Sequence, residues 1–350
     1  MFPAWTWIVG LFIGAAIGSF LNVVIYRIPR GLSLNNPKNS FCPSCKHQLT
    51  ILDLFPLFSW LFLRGRCRHC KAKVSSRYFF VELMTGAIWG AIWYEYLVVG
   101  SDPAKALAFA AAAATLVAII FIDWELYIIP DQINAFLLLV GLLYNGWLII
   151  KKAPEAFMWG MPSSIAGALV GIGVLWGIAF LGRVIFRKDA MGHGDIKMAR
   201  GIGAVLLPAT AVASFAIAVF LGAVLGVAQI LLRREPADAG SAAGEGDGQA
   251  TPEEEEEDYP PESIGSLLKS GFGYVFCFDI IGLFKPSFYK TWYGEDPYEP
   301  ISEAADFEVE RTMIPFGPYL ALGAIVATVF QSRLMEWVQT YLRWATRGAI

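Results

Sequence analysis

The chain has 350 residues, of which 56% are hydrophobic and only 16% charged, against a charged share near 25% in ordinary soluble domains. With a positive mean hydropathy, this excludes a soluble globular protein and predicts an all-α polytopic membrane protein. The formal charge of −3 averages two unlike parts: residues 235–310 carry 19 acidic and 3 basic side chains, whereas the remainder carries 11 and 24, a net of +13.

A membrane span needs about 20 mostly apolar residues. Runs near 5–26, 79–99, 104–122, 133–150, 162–186, 198–212, 213–232 and 315–331 predict about eight transmembrane helices. The first span, residues 1–26, has no lysine or arginine before it, while Arg27, Arg30 and Lys38 follow closely. The positive-inside rule therefore puts its start outside and the next loop in the cytoplasm. Lacking a basic leading region and a small-residue cleavage site, it reads as a retained span rather than a removed signal peptide. Ser19 and Asn22 within it are expected to hydrogen-bond to neighbouring helices.

Residues 27–78 form the expected cytoplasmic domain. Ten lysines and arginines fall between Arg27 and Arg77, with four of the five cysteines, as Cys42-Pro43-Ser44-Cys45 and Cys67-Arg68-His69-Cys70. Two such pairs, 21 residues apart, predict a four-thiolate site for structural Zn2+. Paired disulfides are disfavoured because the cytosol is reducing. The metal would fold a domain with too little core of its own. Between the pairs, residues 52–63 are too short to span and are expected to lie on the membrane surface.

Residues 79–232 are the expected transmembrane core. An alanine-rich stretch, 108–114, gives the third helix a small-residue face for close packing. That helix ends at Asp123, and Pro130-Asp131 opens the next, with Asp131 read as a helix cap. The fifth run returns to Arg183, Arg187 and Lys188, which places Gly192-His193-Gly194-Asp195-Ile196-Lys197 at the same membrane face as Asp123.

An ionisable residue at membrane depth is a functional-site hypothesis by default. Asp195 precedes an apolar run and could equally cap its helix. Asp123 closes a helix, where the dipole disfavours an anion. Two carboxylates at one depth can share a proton and activate a water, which is aspartyl-protease chemistry. Gly192 and Gly194 permit positive φ or close backbone approach beside that water. The alternative is a non-enzymatic zinc-containing channel or transporter using the aspartates as an ion path, which would spread carboxylates through the membrane. The sixth and seventh spans read as a tight hairpin about Leu207-Pro208.

Residues 233–311 read as an acidic, partly disordered cytoplasmic insertion. Its first part, 237–263, contains five consecutive glutamates at 253–257, a composition of disordered linkers. Its second part, 264–293, is expected to be an interfacial segment, with Cys277 a buried apolar residue. The last helix and tail, 312–350, begin at Pro315-Phe316-Gly317-Pro318, which loosens a helix start and exposes backbone groups at the depth of the aspartates.

Taken in this order, several motifs resemble those of the type IV prepilin peptidases, bacterial inner-membrane enzymes of the GxGD aspartyl protease class. They are residues 18–29, the two cysteine pairs, Arg77-Tyr78 leading to Glu82-Leu83, Asp123 with Ile129-Pro130-Asp131, residues 192–197, and residues 315–318. The resemblance implies cleavage of prepilin and pseudopilin leaders after a glycine on the cytoplasmic face. It also implies N-methylation of the new N-terminus with S-adenosyl-L-methionine. Matched residue by residue, Asp123 and Asp195 take the catalytic positions, and Gly192, Gly194 and Lys197 frame the second carboxylate. Pro315, Phe316, Gly317 and Pro318 take the family's site-framing segment, and Cys42, Cys45, Cys67 and Cys70 take the zinc positions. Substrates and membrane lipid are the expected partners; no nucleic acid is expected and the oligomeric state is open. The insertion departs from the family pattern, and its negative charge is expected either to steer basic leaders or to be a tolerated loop.

Overall fold

The computed structural model describes residues 2–37, 39–42, 44–187, 191–232, 262–294, 296–298 and 315–347. Of the expected disordered linker at 237–263, residues 237–261 lie outside the described residues.

Helix α1 (Trp7–Arg27) places Gly10, Gly14 and Gly18 four residues apart, and hence on one face. That face lies directly on the helix α3 (Arg77–Trp93), which follows the short α2 (Phe58–Phe62). A Cβ on Gly14 would stand 2.8 Å from the Thr85 carbonyl oxygen, and one on Gly18 would stand 2.7 Å from Glu82 Cα. Small residues let the backbones touch where apolar burial alone gives lipid-embedded helices little drive to associate. Asn22 Nδ2 donates to the Tyr78 carbonyl (3.2 Å), as its polar character within a span predicts. A π-helical turn, Tyr94–Val99, extends α3 to the far side.

Helix α4 (Pro103–Leu126) starts where the Asp102 side chain accepts from the Lys105 N–H. Its alanine-rich face makes it the most buried of the long apolar helices. It stops at Tyr127, whose left-handed backbone (φ 55°) turns the chain. Next come α5 (Asp131–Ile150), a two-residue antiparallel hairpin of β1 (Phe157–Met158) and β2 (Met161–Pro162), and α6 (Ser163–Phe186). Helix α7 (His193–Leu232) breaks at Leu207, with φ 64°, just before Pro208. Its first arm crosses α6 where Gly167 meets Gly203 and Gly171 meets Ala199 with no room for a side chain.

The second arm of α7 runs back along α11 (Gly317–Val329). Gln331 donates to Thr210 (3.2 Å), a Cβ on Gly323 would stand 2.9 Å from Ala218 N, and Gly222 faces Tyr319. The expected hairpin is thus present. All eight predicted runs fall on helices. Among the described residues, five helices are long and apolar enough to cross a membrane, and seven qualify if two bent pairs each count as one span.

One bent pair is α11 with α12 (Gln331–Arg347), turned by 91°. The other is α8 (Ile264–Val275) with α9 (Phe278–Phe284), turned by 73° and followed by α10 (Pro286–Tyr293). These last three helices pack onto the bundle. Leu267, Tyr274 and Tyr289 are buried, and Trp176 of α6 donates to the Leu267 carbonyl (3.1 Å). Cys277 is half-buried against Leu138, Ala168 and Ala204, in keeping with an apolar role.

The α6–α7 crossing sets a clear expectation. Gly171→Val should lower the Tm of the detergent-purified protein by several degrees or prevent its recovery, since overpacking costs about 1–3 kcal/mol or more. Gly173→Ala, two residues on with nothing within 4 Å of its added Cβ, should not lower it.

Candidate active site

Asp123 sits in the last turn of α4 and is buried, with 6% exposure. Asp195 sits in the first turn of α7 and is partly buried. The side chain of Ile129, from the loop after α4, joins them. It lies 3.0 Å from where a Cβ would stand on Gly194 and equally close to Gly317. The two carboxylates lie within electrostatic reach of each other.

Gly317 is indispensable sterically: a Cβ there would fall on the Asp123 carboxylate. Its backbone N–H, at the start of α11, hydrogen-bonds that carboxylate. Asp123 thus stands between the C-terminal end of its own helix, which disfavours negative charge, and the N-terminal end of another, which favours it. Phe316 and Pro318 flank this contact as the cap and second residue of α11, and Pro315 precedes them. Gly192 and Gly194 do not adopt positive φ. Gly194 serves instead for close approach to Ile129, and its carbonyl faces Asn134 Nδ2 of α5 (3.5 Å). Asp195 Oδ1 and Asn134 Oδ1 are buried without a hydrogen-bond partner among the described residues. Unpaired polar atoms in such a place suit an ordered water.

Lys197 lies beneath this pair and turns inward. Its Nζ donates to both Asp131 carboxylate oxygens (2.7 and 2.8 Å) and to the Tyr289 hydroxyl (3.2 Å). Asp131 therefore corrects the capping expectation: it makes no cap bond and forms a buried ion pair instead. An ionic partner across the fold outcompetes the local N–H groups for its oxygens.

Residues 27–76 hang from the same end of the bundle. Arg27 donates to the carbonyls of Ser33, Leu34 and Pro37, and Glu82 of α3 accepts from the Leu57 N–H (2.7 Å). Arg77 pairs with Glu125, joining the start of α3 to the end of α4 beside Asp123. Phe55, Leu61 and Phe62 are exposed.

The four sulfurs of Cys42, Cys45, Cys67 and Cys70 lie within 4.8 Å of one another. Cys42 and Cys70 are 3.9 Å apart, and ligands about 2.3 Å from a tetrahedral zinc stand about 3.8 Å from each other. The donor set and spacing fit a divalent ion. Each half is built alike: the Cys42 N–H bonds the His47 carbonyl and Cys67 the Ala72 carbonyl, and Lys46 and Lys71 follow at positive φ. Donation from the Cys45 backbone pulls the Cys42 thiol down to about 6, against the opposing effect of burial.

Between the halves, burial would raise the Asp53 carboxyl, but the Thr50 hydroxyl and Arg68 guanidinium hold it down at about 2. A depressed carboxyl contributes stability above its unfolded value, near 4, and loses it as pH falls toward 2. In hydrogen exchange, the loop of Asp53→Asn should be less protected than the wild type at pH 7. That difference should vanish between about pH 4 and 2.

Two family models match the chain: the bacterial peptidase A24 N-terminal domain over residues 12–96, and the type IV leader peptidase family over 110–227. Among curated relatives, a prepilin leader peptidase/N-methyltransferase of Aeromonas hydrophila is 36% identical over 247 residues, covering 62% of this chain and 79% of its own. The protein of the same name from Myxococcus xanthus (strain DK1622) is 31% identical over 322 residues, covering 89% and 87%. That of Dichelobacter nodosus is 33% identical over 256 residues, covering 64% and 82%. No solved structure matches.

Proposed function

Because the chain belongs to the type IV leader peptidase family, we propose that it is a membrane-embedded aspartyl endopeptidase. It removes the leader of type IV prepilins and pseudopilins after a glycine, at the cytoplasmic face of the bacterial inner membrane. One observation carries this reading: Asp123 and Asp195 converge across Ile129 from opposite ends of two different helices.

Two carboxylates within electrostatic reach of each other disfavour double ionisation, and in this reading the pair shares one proton. The neutral carboxyl donates to the scissile carbonyl while the ionised one takes a proton from water, whose oxygen attacks the carbonyl carbon. The proton then passes to the departing amine nitrogen as the peptide bond breaks. Unpaired Asp195 Oδ1 and Asn134 Oδ1 suit the polar partners such a water needs. An ion path would need carboxylates along the membrane depth, whereas this pair stands at one level.

The cysteine cluster holds zinc as a structural ion, closing residues 42–70 on themselves. The relatives' names support a second activity, methylation of the new N-terminus with S-adenosyl-L-methionine as donor. A groove of about 400 Å³ on the cysteine loop is lined by Phe41, Lys46 and Gln48; its lysine suits the donor's carboxylate but it offers no anion to the sulfonium, and it does not by itself identify the donor's site.

The test is incubation of the purified full-length protein with a prepilin and S-adenosyl-L-methionine, followed by mass spectrometry of the product N-terminus. A shortened, methylated product is expected. Asp123→Asn and Asp195→Asn should each lower cleavage at least about a hundredfold while remaining folded; full activity in either would remove the dyad. Metal analysis should find one zinc per chain, reduced in Cys42→Ser. A chelator should expose residues 42–70 to protease.

A further inference from the structure

The charges that surround Asp195 are arranged by face. At about 100° per residue, His193, Lys197 and Arg200 fall on one stripe of α7, and Asp195 falls on the opposite side. Each member of that stripe meets a group from α8–α10 or the residues leading into them. His193 Nδ1 faces the Tyr274 hydroxyl (2.7 Å), and its Nε2 faces Glu262 (2.9 Å). Lys197 meets the Tyr289 hydroxyl and lies 5.4–5.6 Å from the ring centres of Tyr274, Tyr289 and Tyr293. Arg200, 1% exposed, donates to both oxygens of the equally buried Asp279 and to the Tyr274 carbonyl.

The middle contact ties the two halves of the active site. Lys197 follows Asp195 by two residues on α7, and Asp131 opens α5 at the end of the loop that leaves Asp123. Their ion pair, with side chains 8% and 9% exposed, spans both aspartate-bearing segments. Tyr289 closes the triangle: its hydroxyl accepts from Lys197 and donates to Asp131 Oδ2 (2.6 Å). We propose that α8–α10 are a positioning clamp for the peptidase site, and that Tyr289 is the residue through which the clamp sets the spacing of Asp123 and Asp195. The clamp rests on the aspartyl peptidase reading above. It gives the folded part of the insertion a role distinct from that of its acidic linker.

The experiment compares wild type, Tyr289→Phe and Lys290→Ala by prepilin cleavage across pH, with kcat and KM determined separately. Lys290 is an exposed neighbour on the same helix. Tyr289→Phe removes one oxygen and keeps the ring. Displacement of a reacting group by about 1 Å can cost as much as a hundredfold, so kcat should fall about tenfold or more, with KM within about twofold. The bell-shaped pH profile should also narrow, because carboxylates allowed apart couple less and their two apparent pKa values approach each other. Lys290→Ala should match wild type.

An active wild type with unchanged kcat and pH profile in Tyr289→Phe would overturn the clamp alone, even if the Tm fell. So would a raised KM at constant kcat, which would place the insertion in substrate binding. A wild type that cleaves no prepilin would overturn the peptidase reading and the clamp with it. If Tyr289→Phe does not fold, Tyr274→Phe, which frees the part-exposed His193 on α7 and leaves both buried ion pairs in place, decides by the same two readouts.

Discussion

Charge inside an apolar bundle must be paired, and that constraint organises this molecule. A buried charge stripped of its partner is strongly destabilising, so Lys197 and Arg200 on the first arm of α7 dictate what surrounds them. Asp131 and Asp279 answer from α5 and α9, and tyrosine rings fill the remaining space. The carboxylates of Asp123 and Asp195 are the exception the rest makes tolerable. They stand within electrostatic reach of each other beside Ile129 and Gly317, without a cation of their own among the described residues. Site chemistry and site architecture therefore use opposite solutions on opposite faces of one helix.

Glycine does the complementary work. Along α1 and at the crossing of α6 with α7, it lets backbones touch where lipid provides no squeezing force. At Gly317 the same absence of a side chain admits a carboxylate to a helix N-terminus. One residue type thus brings the helices together and shapes the pocket between them.

Much of this was legible in the sequence, for physical reasons. Asp123 and Asp195 stand out because ionisable groups are rare in apolar runs, and the cysteines because their spacing matches what one metal ion needs. The 315–318 cluster announced exposed backbone near the aspartates; Gly317 is buried, and its N–H goes to the Asp123 carboxylate. Asp131 was misread because a capping rule looks only a few residues along the chain, whereas its partner lies 66 residues away. Arg200 carried a usable signal, a guanidinium within an apolar run, which implies a buried acid somewhere. Nothing local could say that the acid is Asp279, or that Tyr274 and Tyr289, within a stretch that reads as an interfacial segment, close over the helix bearing Asp195. Pairing between distant segments leaves no periodicity to read.

The 91° turn between α11 and α12 also fixes a depth. Helix α11 has 13 residues, about 20 Å at 1.5 Å per residue, and the first arm of α7 is of similar length before its break at Leu207. The hydrocarbon layer is about 30 Å thick. If the turn marks one boundary of that layer, both rulers end about 10 Å short of the other, and the aspartates stand at that end. A peptide bond brought to these aspartates would then be met below the water line, in a recess rather than on a surface. A substrate with its own apolar helix in the bilayer would be measured against the membrane itself, its cleavage point chosen by how deep that helix rides.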